Sequence, residues 1–151
     1  MLMKKKCKDI KNLLPRKNSK FEQGYYDIYN PLKYVGKRPI IYRSSWEKLF
    51  MSWCENNEHV KQWGSEITAI PYLDGNNKRH TYFVDFTVLF DNGMTYLVEV
   101  KPSKDIPRTL FETKINPVKA KNYAKWEAVK RYCATQPNTK FFIATERFFG
   151  K

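Results

Sequence analysis

The segment "TYFVDFTVLFDNGMTYLVEVKPSK", residues 81–104, constrains this chain more than any other stretch. Two β-branched and aromatic runs flank Asp91-Asn92-Gly93, which predicts a β-hairpin with strands over about 81–90 and 94–101. The even positions are apolar in both: Tyr82, Val84, Phe86, Val88 and Phe90, then Met94, Tyr96, Val98 and Val100. Residues facing each other across a strand pair share a face, so these two sets must align. Pairing Phe90 with Met94 around a three-residue loop, with Gly93 left-handed, aligns them. A two-residue Asn-Gly turn would instead mix Glu99 and Lys101 into the apolar face. The three-residue register sets Asp85 opposite Glu99, with Lys101 two positions further along the same face.

Carboxylates directly opposite each other repel, at about 0.2–1 kcal/mol. The plain reading is that they line the wet side of the hairpin, which Thr87 and Thr95 fit. However, each acid is surrounded by aromatic and aliphatic residues, where an isolated charge is costly. Phe83, Leu89 and Leu97 also share the polar face and imply that it is partly covered. A divalent cation turns the repulsion into attraction. Mg²⁺ prefers carboxylate oxygens, keeps several waters and bridges to phosphate oxygens. The acids therefore read as a metal site, with Lys101 placed to activate a water or stabilise charge on a reacting phosphate.

Upstream, "RSSWEKLFMSWCENNEHVKQW" predicts a helix over about 45–56. Ser44 and Glu47 match a capping box, and Trp46, Leu49, Phe50 and Trp53 give its apolar face. "SEITAIPYL" (65–73) reads as a strand closed by a turn at 74–78. Pro102 and Pro107 mark an exit loop. A second helix follows through "NPVKAKNYAKWEAVKRYCATQ", with an approximate stripe of Val118, Tyr123, Trp126, Val129 and Cys133. "TKFFIATE" (139–146) is a last strand. Short turns make the first three strands an antiparallel meander, and the second helix carries the chain over so that the final strand joins the same sheet. The expectation is a single α/β domain over 41–151, with a mixed sheet of about four strands flanked by helices. Residues 1–40 show no sustained period, and "KKKCKDIKNLLPRK" makes them a basic N-terminal arm.

With 28 Lys+Arg against 15 Asp+Glu, the formal net charge is +13, which attracts polyanions, nucleic acid first. Cys7, Cys54 and Cys133 are odd in number and far apart, which suits free thiols in a reducing compartment rather than zinc. No apolar run approaches the roughly 18 residues of a membrane span, and the N-terminus has no secretory core. The expected partners exclude a membrane. His59 and His80 lie outside any histidine metal motif, and no Gly-rich phosphate loop occurs.

Asp85, then Glu99-Val100-Lys101 on the next strand, after a helix carrying Glu47, resembles the PD-(D/E)XK nuclease superfamily. The longer run from Tyr42 to Pro102 is similar to the head completion nucleases of T4-type tailed phages, and more distantly to the TnsA endonuclease subunit of a bacterial transposon. The resemblance implies a restriction-endonuclease-like core and metal-dependent hydrolysis of DNA. Asp85, Glu99 and the Val100 carbonyl would hold Mg²⁺, for which Mn²⁺ can substitute. Lys101 would be the catalytic lysine and Glu47 the additional acid. The family's Pro-Asp is Val84-Asp85 here, which leaves the ligand intact.

Glu47 also has a purely structural role available, as the third residue of the capping box. Glu66, opening the strand at 65–73, is a further candidate acid. Arg43, Lys104, Lys119 and Lys121, together with Lys125, are candidate phosphate contacts. The implied setting is the host cell cytoplasm or the virion, with DNA as substrate and phage capsid, portal or neck proteins as partners. Two alternatives stay open: a same-fold nuclease of transposition or recombination, and a non-catalytic DNA-binding head-to-tail connector.

Overall fold

The computed structural model describes residues 22–150. The basic run at residues 4–17 lies outside them. The first helix, α1 (Ser45–Asn56), is capped by Ser44, whose hydroxyl accepts the Glu47 N–H at 3.1 Å. Its buried face is Phe50, Met51 and Cys54, turned away from the expected stripe, so that Leu49 is exposed. The turn sets Phe50 against Phe86, with ring centroids 4.7 Å apart. Trp46 and Trp53 flank this contact and pack on Phe149 and Phe148.

Residues 22–40, read above as part of an aperiodic arm, are tied to this helix. Strand β1 (Gly24–Tyr26) pairs antiparallel with β2 (Ile40–Tyr42), and Tyr34 and Ile40 enter the core. The buried Glu55 carboxylate accepts from the Tyr26 hydroxyl and from the Tyr29 and Asn30 N–H groups. Strands of three residues carry too little alternation to be recognised as a period.

The central sheet runs β3 (Val60–Ser65), β6 (Phe86–Phe90), β7 (Thr95–Val100), β8 (Thr139–Ala144) in spatial order, with only the β7–β8 pair parallel. The hairpin register is the expected one: Phe86 faces Val98 and Leu89 faces Thr95. Phe90 N–H donates to the Met94 carbonyl at 2.9 Å, and Gly93 has φ 86°, the left-handed turn position.

The expected strands at 65–73 and 81–90 are each broken. β4 (Ala69–Leu73) and β5 (Arg79–Phe83) form a separate two-stranded ribbon, interrupted from the main sheet at 66–68 and at 84–85. The break moves Tyr82 and Val84 off the face that carries Phe86. Tyr82 and Val84 pack with Ile70, Tyr72 and Leu97 on α3 (Pro117–Thr135), whereas Phe86, Val88, Val98 and Val100 pack on α1. Each large side chain so buried contributes about 1.5–3 kcal/mol. Trp126, Val129 and Cys133 of α3 form its buried side, while Val118 and Tyr123 stay exposed. A short helix, α2 (Leu110–Ile115), precedes it, held by a Thr109–Glu112 capping box. Among the described residues no helix is long and apolar enough to cross a membrane.

Candidate active site

The site forms at the joint where the ribbon leaves the sheet. Asp85 lies between β5 and β6, so it is free of the ladder, and its Oδ2 reaches across to accept the Val100 N–H at 2.9 Å. Opposite it, Glu66 has φ 52°, a left-handed conformation rare for a residue with a Cβ, and donates its N–H to the Asp85 carbonyl at 3.0 Å. Glu99 is buried at 5% exposure on the α3 side of β7. The Tyr82 hydroxyl donates to Glu99 Oε2. Asp85 and Glu99 are within hydrogen-bonding reach of each other, so the opposition read from the register is present in three dimensions.

Burial, then the Glu99 charge, pushes the Asp85 carboxyl well up, against the pull of the Val100 N–H and Lys101. Glu99 is raised by burial and held back by Tyr82, Lys101 and Lys125. Burial and the neighbouring carboxylate thus favour the protonated form of Asp85, while Glu99 is pulled back toward its charged form. Glu47 is pushed up to about 8, first by burial and then by the Asp85 charge. Its carboxylate accepts from the Ser44 hydroxyl at 3.2 Å and from the Arg43 backbone, so it is only half a capping box and remains electrostatically coupled to the site.

Lys101 acts on both acids, and so does Lys125 on Glu99. Lys125 projects from α3 with its Nζ 4.8 Å from the Tyr82 ring centroid, a cation–π contact. Its ammonium is destabilised by burial and then by Lys121, one turn away. Tyr82 was legible only as an apolar strand residue. Its role at Glu99 follows from the break at Val84–Asp85, for which the alternating pattern gives no signal. Of the candidate phosphate contacts, Lys121 is brought near the site, whereas Lys119 is paired with Glu112 at 3.1 Å. Lys104 is exposed in the 3₁₀ turn that follows β7. Arg43 precedes the α1 cap. Glu66 presents an exposed side chain while its charge raises Glu47. His80 and His59 are engaged in turns, with Asp74 at 2.7 Å and Asp91 at 3.0 Å.

Among the described residues no three His, Cys, Asp or Glu side chains stand together as a ready-made ligand set. The donor chemistry nevertheless fits a hard divalent cation. Val100 N–H holds one oxygen of Asp85, and Tyr82 holds one oxygen of Glu99. A divalent cation at the pair would offset the burial and the neighbouring charge that raise the Asp85 carboxyl.

The family model for the TnsA-like endonuclease N-terminal domain matches residues 57–146, which contain Asp85, Glu99, Lys101 and Lys125. The chain is also 31% identical over 130 residues to the head completion nuclease of Enterobacteria phage T4, covering 78% of this chain and 86% of the phage protein. No solved structure matches it significantly. The four-stranded mixed sheet with helices on both faces is the restriction-endonuclease-like fold, and the chain belongs to the TnsA-like endonuclease N-terminal family.

Proposed function

We propose that this chain is a divalent-metal-dependent deoxyribonuclease of the PD-(D/E)XK type. The observation that carries the reading is the buried Asp85–Glu99 pair with Lys101 and Lys125 beside it. Asp85, Glu99 and the Val100 carbonyl would hold Mg²⁺ or Mn²⁺, which when bound polarises the scissile phosphate and lowers the pKa of a water. Lys101 orients the attacking water and offsets charge gathering on the phosphate oxygens. Tyr82 fixes the direction of Glu99, and Glu47, coupled to Asp85, would hold a second ion or the water network. Arg43, Lys104 and Lys121 position the DNA backbone.

The similarity to a head completion nuclease supports a role in trimming DNA in a phage head before the tail joins, in the host cytoplasm or the virion, next to portal or neck proteins. The test is cleavage of plasmid and linear DNA with Mg²⁺, Mn²⁺ or EDTA, comparing wild type with Asp85→Ala and Lys101→Ala. Metal-dependent cutting that disappears in both folded variants is the expected result. A pure wild type that binds DNA and never cuts it would favour the non-catalytic connector instead.

A further inference from the structure

Helix α2 presents Leu110, Phe111 and Ile115 to solvent at 63%, 66% and 66% exposure, and Val118 continues the strip at 53% on the first turn of α3. A six-residue helix that keeps its largest side chains outward gains nothing from packing them. Its position is nonetheless fixed, by the Thr109–Glu112 cap at one end and the Lys119–Glu112 ion pair to α3. The strip is thus an exposed apolar surface tied to α3 through Glu112.

From this placement we infer that the strip is a stacking platform for unpaired bases of DNA beside the scissile phosphate; the inference rests on the DNA-nuclease reading. Direction comes from α3. Lys125 lies at the acid pair, Lys121 is one turn nearer the N-terminus, and Val118 follows. Val118 and Lys125 are about 10 Å apart along the helix axis at 1.5 Å per residue. That is about three base steps at 3.4 Å. A strand whose phosphate sits at Asp85 and Glu99 thus passes Lys121 and arrives at the apolar strip.

The surrounding charge selects the partner. Arg108, Lys114 and Lys121 are interleaved with the apolar residues, and the one acid between them, Glu112, is neutralised by Lys119. Protein–protein interface cores are depleted of lysine. Strips of aromatic and aliphatic side chains set among cations suit nucleic acid, with bases on the apolar groups and phosphates on the lysines. Paired bases inside a duplex offer no free π-face, so the substrate class is DNA with a frayed, nicked or single-stranded end.

The experiment measures binding by fluorescence anisotropy in EDTA, so that no cutting intervenes. The probes are blunt duplex, duplex with an unpaired end, and single strand, over a range of salt. The variants are Phe111→Ser with Ile115→Ser, and separately Lys114→Ser. Both change exposed side chains, and circular dichroism checks their folding. The apolar variant is expected to bind the two unpaired probes about tenfold more weakly, with blunt duplex within about twofold and the salt slope unchanged. Lys114→Ser weakens all three probes alike and makes the slope shallower by about one.

An apolar variant that keeps full affinity for unpaired DNA overturns the inference and leaves the strip to a protein partner. Cleavage assays separate the two readings. A wild type that never cuts while the apolar variant still loses unpaired DNA sinks the nuclease and leaves the platform standing. A wild type that cuts, with an apolar variant that binds and cuts like it, sinks the platform alone.

Discussion

At the scale of single residues, the site is a store of unfavourable electrostatics. Asp85 and Glu99 are brought together at the joint, where burial and the Glu99 charge raise the proton affinity of Asp85. Asp85→Asn removes that conflict and keeps an acceptor for the Val100 N–H. The expected result is cleavage reduced at least about a hundredfold while the melting temperature in EDTA rises by a few degrees. Loss of both activity and stability would mean that Asp85 is structural.

Glu47 gives a pH test with a definite sign. Its folded carboxyl titrates at about 8 against 4.5 for an ordinary glutamate, so the folded state holds an extra proton between these values. Stability in EDTA therefore falls as pH rises from about 5 through 8, by at most about 1.4 kcal/mol per unit and less because Glu47 is partly solvated. Asp85 and Glu99 act in the same direction. Glu47→Gln should thus flatten part of the decline in melting temperature between pH 5 and 8, and an unchanged profile would sink this assignment. Lys125→Met, in contrast, leaves the fold intact and should cost about 10–100-fold in kcat/KM, with Lys125→Arg restoring part of it.

At the scale of elements, legibility followed the alternation of side chains. The hairpin register was readable because both strands alternate cleanly, and a slip of one would have placed Glu99 among Val98 and Val100 on α1. The breaks at Glu66–Thr68 and Val84–Asp85 were not readable, because Val84 keeps the alternation through the bend while its direction changes. Tyr82 and Lys125 were therefore missed as a unit, since their meeting depends on that bend and on the packing of α3. β1 and β2 were missed for shortness, although the chain around them is locked by close contacts.

One such contact is Gly64 in β3, where a Cβ would lie 2.3 Å from the Val35 carbonyl oxygen. Val35 N–H donates to the Trp63 carbonyl at 2.9 Å, so the two backbones cannot separate without losing that bond. Gly64→Ala should destabilise the protein by about 2–4 kcal/mol in a denaturant titration. Because β3 pairs with β6 and leads into the joint, it should also lower cleavage at temperatures where the chain is still folded. A neutral substitution would show that the Val35 segment is loosely held.

At the scale of the whole molecule, the two cores explain how the fold accommodates two buried acids. One face of the sheet is closed by α1 and the other by α3 with the β4–β5 ribbon, so the fold is stable on either side of a joint that is itself unfavourable. The excess positive charge serves the substrate rather than the fold, since 13 unbalanced charges repel within a compact chain. Some of that charge surrounds the site, at Lys101, Lys121 and Lys125.

Another share is at the N-terminus, where Lys4, Lys5, Lys6 and Lys8 fall within five residues. If this arm binds DNA, each of these lysines displaces a counterion from the phosphates. Changing all four to serine should then make the slope of log K against log salt shallower by about three to four. The rate of cutting at saturating protein, which reads the joint alone, should not move. A slope that stays the same assigns the arm to a partner other than DNA, and a fall in the saturated rate would place it in the site.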